Sequence, residues 1–204
     1  MMMKRFIGWL AILLVCMLVS GCETMSKDEC RFANWSDIGM RDGLAGEPLS
    51  LFGERVKDCT KAGIRVDDNL YMANRDRGLQ NFCRLENAAP LGLSGRSYAG
   101  VCPAQIDYEF RRRYQTGYAV HDLRGKVNEF DGRSDRLQRK LREADRDEDK
   151  QLKVADKEDD RKRIRKEYDE RRRQIRHELG DLDRALRRTR DALRDAEYTL
   201  DNLR

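Results

Sequence analysis

Apolar residues in the last third of the chain advance by alternating steps of four and three: Ile175, Leu179, Leu182, Leu186, Thr189, Leu193, Ala196, Leu200 and Leu203. Charged residues fill nearly every position between them. A seam of period 3.5 sustained over four heptads predicts a coiled-coil helix. A second, shorter seam runs through Leu123, Val127, Phe130, Leu137, Leu141 and Ala144, out of phase with the first, and residues 145–149 between the two contain no apolar side chain. Two architectures satisfy this pattern. The chain can turn within residues 145–155, with Asp156 capping a new helix, or one helix can run unbroken, since neither Pro nor Gly occurs between Arg133 and Leu179. The antiparallel hairpin is preferred because each seam then finds a partner within the same chain. Its longer arm, residues 156–204, would extend about 70 Å at 1.5 Å per residue and outreach its partner, leaving the distal seam in need of another surface.

Pairs such as Glu158 with Lys162, Glu167 with Arg171, Asp169 with Arg173 and Asp183 with Arg187 place the acid four residues ahead of the base. Each contributes only about 0.2–0.5 kcal/mol. Interleaved acids also dilute the fields of Arg111 to Arg113 and Arg171 to Arg173, so these runs read as solvated faces and no nucleic-acid partner is expected.

The opening residues follow a different pattern. Lys4 and Arg5 precede an apolar run over residues 6–19, and Val19-Ser20-Gly21-Cys22 closes it with small residues before a cysteine. The run is short for a membrane span, which takes about 20 residues, and the order of charge, apolar run and small residues is that of a cleaved leader. Residues 1–21 are therefore expected to be a lipoprotein signal peptide. Cys22 would become the acylated first residue, a membrane anchor in which each buried methylene contributes about 0.8 kcal/mol. Glu23 after that cysteine favours the outer membrane of a Gram-negative cell, with the polypeptide facing the periplasm. Loss of Lys4 and Arg5 takes the formal net charge from +5 to +3, so strong basicity is not a property of the mature chain.

With 39% charged residues and a mean hydropathy of −0.85 the chain is poor in core material, but the deficit is uneven. Residues 22–29 read as a tether, residues 30–120 as a globular helical domain, and residues 121–204 as the coiled-coil extension. The expected fold class is all-α: a small disulfide-stapled helical domain followed by a long charged arm. Cys30, Cys59, Cys83 and Cys102 remain once Cys16 and Cys22 are set aside. An even count behind a secretory leader points to two disulfides in an oxidising compartment, and the lack of a Cys-x-x-Cys pair argues against zinc. Of three possible pairings, Cys30 with Cys59 and Cys83 with Cys102 is favoured, because sequence neighbours pack as neighbours in small helical domains. Each loop would stabilise the fold by about 3 kcal/mol in the chain-entropy model.

Within the globular part, aromatics recur with glycines at helical spacing: Trp35 with Gly39 and Gly43, Tyr71 with Gly78, Tyr114 with Gly117. Glycine inside a helix costs up to about 1 kcal/mol against alanine, which predicts short helices whose aromatics pack over glycine notches. Gly63 should stop a helix over residues 53–61, Asp67 or Asp68 should cap the next, residues 87–100 with Pro90 and three glycines should form a long loop, and Pro103 should open the helix through Ile106, Phe110 and Tyr114. The motifs Trp35-x3-Gly39-x2-Asp42-Gly43-x2-Gly46, Gly78-Leu79-x2-Phe82-Cys83 and Gly95-x2-Tyr98-x-Gly100-Val101-Cys102-Pro103, over about residues 30–123, resemble a proteobacterial lipoprotein family named only as domain of unknown function twenty-seven ninety-nine. The resemblance implies a periplasmic lipoprotein domain and carries over no catalytic residues.

Three functional classes follow. An envelope interaction module would use the arm to hold another envelope protein or a second copy of the chain. A peptidoglycan-binding module would stack a sugar on Trp35 or Tyr98, with Trp35, Asp37 and Asp42 as one candidate face. An enzyme is the least favoured: only His121, expected at a helix start as a solvent-facing or capping residue, and His177 could serve as neutral-pH bases. No cofactor and no metal is expected.

Overall fold

A computed structural model describes residues 23–203. The leader and Cys22 lie outside these residues. Seven helices and no strand occur among them: α1 Lys27–Phe32, α2 Trp35–Ala45, α3 Leu49–Lys61, α4 Asp68–Phe82, α5 Leu85–Leu93, α6 Ala104–Val154 and α7 Glu158–Asp201. The chain divides into two compact units between Phe82 and Cys83, and residues 120 and 121, the expected boundary, lie within α6.

In the N-terminal unit, local side chains set the helix ends. Ser26 and Glu29 form a reciprocal capping box on α1. Asn34 Oδ1 accepts from the backbone N–H groups of Ser36 and Asp37 at the start of α2. Gly46, at φ 72°, ends α2 in the left-handed region, and Asp67 Oδ1 accepts from Leu70 N at the start of α4. Helices α2 and α4 pack backbone against backbone. A Cβ on Gly39 would come closer than 3.0 Å to the Tyr71 carbonyl, one on Gly43 would strike the Arg75 carbonyl, and one on Gly78 would strike Met40 O and Leu44 N. The expected notches are therefore present, but opposing main chain fills these three, and an aromatic fills only Gly46, under Phe82. Phe52 stacks on Tyr71 at 3.7 Å and meets Trp35 edge-on at 6.1 Å. These rings, with Met25, Ile38 and the disulfide of Cys30 with Cys59, make the core.

Residues 24–29, expected as a free tether, are folded onto this body. Thr24 donates to Asp58 Oδ2 from both its backbone N (2.8 Å) and its hydroxyl (2.9 Å), and Met25 is buried.

In the C-terminal unit, the first half of the long loop expected over residues 87–100 is a helix. Helix α5 retains Pro90 in its interior because tertiary packing outweighs the local penalty: Gly92 faces the backbone of Tyr114 and Tyr118, and Gly117 faces that of Ala89 and Leu93. Gly95 ends the segment at φ 74°, and Cys83 is bonded to Cys102. Helix α6 then runs 51 residues without interruption, turns at residues 155–157, and returns as α7 in an antiparallel hairpin. Cross-hairpin bonds record the pairing: Arg124 with Glu197, Arg190 with Asp131, and, near the turn, Gln151 with Tyr168.

Two expectations about the arm are corrected. Lys157, not Asp156, is the N-cap of α7, and it makes no side-chain capping bond. Nor does α7 outreach its partner, because α6 begins at Ala104, well before the seam first recognised at Leu123; Thr199 and Ala196 of α7 lie beside Thr116 and Ala119 of α6.

Candidate functional site

The seam residues occupy the contact between α6 and α7. Ile175, Leu182 and Leu186 are buried and Leu179, Leu193, Leu200 and Leu203 half-buried, with Leu137, Phe130 and Leu141 of α6 packed against the central part. Where residues 145–149 interrupt the apolar pattern, a charged layer replaces it. Arg172 reaches Asp145 at 3.2 Å, Glu148 and Asp169, and both Arg172 and Glu148 are largely withdrawn from solvent, at 14% and 13% exposure. Just beyond, Gln151 Nε2 donates to Tyr168 Oη at 2.8 Å. Sequence reasoning saw the gap but not its occupant; the signal was one Arg opposite a run of acids.

Trp35, Asp37 and Asp42 do not form one open face. The Trp35 ring is buried against Phe52. Asp42 is buried too, and its Oδ2 accepts from Tyr71 Oη at 2.8 Å and from Arg55. Burial first, and the bond to Asp42 second, push the Tyr71 hydroxyl well above the ordinary tyrosine range. Asp37 is exposed but holds Asn34 Nδ2 at 2.7 Å, as part of the α2 cap. Trp35 and Asp42, seven residues apart, share the helix face that packs on α4, whereas Asp37, two residues on from Trp35, points away from it.

Of the three, only Asp37 lines an open groove of about 830 Å³ in the N-terminal unit, together with Thr24, Phe32, Ile38, Arg41 and Arg55. Asp42 acts on this groove indirectly, by holding Arg55 at its edge. Phe32 is 81% exposed. Thr24 bonds hold the Asp58 carboxyl below its ordinary value.

A second surface lies in the C-terminal unit. Rings of Tyr98, Tyr114, Tyr118 and His121 follow one another with centroids 5.8, 5.8 and 5.9 Å apart. Tyr98 donates its hydroxyl to Asp107 and accepts from Cys102 N; burial, reinforced by Asp107, pushes it up to about 12. Arg111 lies over its ring at 5.3 Å. His121 is not at a helix start but mid-α6, with Nδ1 3.2 Å from Leu93 O, where it covers the C-terminal end of α5. His177 is exposed beside Asp181 at 3.2 Å. No group of three or more His, Cys, Asp or Glu side chains able to hold a metal occurs among the described residues.

Residues 34–119 match the model of the family described as Protein of unknown function (DUF2799). This segment is similar to the DUF2799 family. The chain is also similar to "Uncharacterized protein YfiL" of Escherichia coli (strain K12), with 29% identity over 104 residues, 50% of this chain and 78% of that protein. No solved structure matches. The matched segment contains the five glycines that face opposing main chain, Gly39, Gly43, Gly78, Gly92 and Gly117, and the ring series as far as Tyr118; it stops before most of the hairpin.

Proposed function

We propose that the chain is a lipid-anchored protein of the Gram-negative envelope, held at Cys22 on the periplasmic face of the outer membrane, and that it serves as a structural or protein-interaction module through its hairpin. The observation that carries this reading is the closed seam. Helices of 51 and 44 residues spend their apolar stripes on each other, so the arm is a stiff rod of roughly 65 Å whose outer faces are free for a partner. Those faces are charged and carry Tyr198, at 73% exposure, and Val154, at 79%, as isolated apolar points. The partner is another envelope protein or a second copy, met by these outer faces and not by an open heptad stripe. No catalytic role, cofactor or nucleic-acid partner is assigned. A photo-reactive residue at Tyr198 should trap a discrete cross-linked species in cells; monomer alone, in cells and in purified protein, would sink the reading.

One observation favours a second reading, a peptidoglycan-binding module. The Tyr98, Tyr114, Tyr118 and His121 series, with Arg111 and Asp107 beside it, offers ring edges and polar groups suited to a sugar chain. Trp35 drops out of this reading because it is buried. Retention on isolated peptidoglycan that Tyr118→Ala reduces would support it, and no retention would remove it.

A further inference from the structure

We infer that the N-terminal unit lies directly on the lipid bilayer, with Phe32 seated in the headgroup layer as an aromatic wedge; this rests on the acylation of Cys22 proposed above. The constraint is chain length. Thr24 is fixed to the body by two hydrogen bonds to Asp58 Oδ2, at 2.8 and 2.9 Å. Met25 next to it is buried, and the disulfide of Cys30 with Cys59 pins the following helix to α3 as well. Only Glu23 separates Thr24 from Cys22. Two residues span at most about 7 Å, while the headgroup layer is roughly 5–7 Å deep on each side of the hydrocarbon. A thioether placed at the top of the acyl chains therefore draws Thr24 to the outer edge of the headgroups, and the surface around Thr24 goes with it.

That surface has the character such a position demands. Phe32 and Thr24 line the same groove, whose walls include Ala33 and Ile38, and Phe32 is 81% exposed, which in water leaves a large apolar ring without a partner. Phe is among the side chains that helices lying on a membrane bury at the boundary between headgroups and acyl chains. Lys27 and Arg31, the latter 3.7 Å from Asp28, are exposed on the same helix and can meet lipid phosphates there. The occupant of this face is thus the bilayer surface and not a soluble ligand.

The test uses the acylated full chain in vesicles of phosphatidylethanolamine and phosphatidylglycerol containing brominated phospholipid, with Phe32→Trp as the reporter. Trp35 is the one native tryptophan among the described residues and is buried, so the parent protein supplies the background. Palmitate incorporation is measured on the same sample. With label present, the emission added by Trp at position 32 should shift to the blue and be mostly quenched by the brominated chains. Label without quenching overturns the inference and leaves the anchor standing. Absence of label overturns both.

Discussion

The glycines of α2 and α4 and those of the hairpin beyond Gly117, namely Gly125, Gly132 and Gly180, have the same chemistry and opposite meanings. At Gly43 an added methyl would meet the Arg75 carbonyl closer than 3.0 Å, whereas at Gly125 nothing lies within 4 Å. In the N-terminal unit the helices are specified by close main-chain approach, which permits one docking and no neighbouring alternative. In the hairpin they are specified by a repeating seam, which tolerates local change but could slide by a heptad were it not for fixed points. The Arg172 layer with Asp145, Glu148 and Asp169, and the ties of Arg190 with Asp131 and Arg124 with Glu197, supply those points. Uniqueness thus comes from shape in one region and from charge placement in the other.

The comparison is broken most strongly by removing the staple. Replacing both Cys30 and Cys59 by Ala opens a loop with a sequence separation of 29 and should cost about 3.5 kcal/mol. Urea titration read by Trp35 emission should show this loss, while ellipticity at 222 nm, dominated by α6 and α7, changes less. Next comes the charged layer. Arg172→Met strands the nearly buried Glu148 and should cost about 3 kcal/mol, whereas joint replacement by Leu at positions 148 and 172 should restore most of it; hairpin stability by ellipticity distinguishes the two. Gly43→Ala should cost about 1–3 kcal/mol through overpacking against main chain that cannot yield. Gly125→Ala should do the reverse, stabilising the hairpin by about 0.5–1 kcal/mol, and a loss there would collapse the contrast.

The smallest effect concerns acid. Thr24 holds the Asp58 carboxyl below its ordinary value of 3.8, so the folded state binds that proton less readily than the unfolded chain. Its contribution is then complete above about pH 4 and fades as pH falls further. Thr24→Ala should flatten the acid dependence of Trp35 emission below about pH 4.

Periodic features were legible in the sequence. The seam through Ile175, Leu182 and Leu186 implied a partner helix, and Asp67, Gly63 and Pro103 marked helix ends by local chemistry alone. The two disulfides followed from proximity along the chain. What escaped was everything set by contact at a distance. Helix α5 is hidden by Pro90 and its glycines until Gly92 is seen against Gly117. The clasp of Thr24 on Asp58 joins residues 34 apart, with no local sign of it. Trp35 and Asp42 read as a binding face because helical spacing gives direction without saying what lies opposite. Arg172 was one cation among many until the hairpin placed it across from Glu148.

Helix α6 has one mechanical property that its length alone confers. It passes without hinge from the Gly92 contact at Gly117 to its end at Val154, so a lateral force applied near the tip acts as torque on a lever whose fulcrum is that glycine contact. A load on the far end is therefore carried back along the helix to the contact of Gly92 with Gly117.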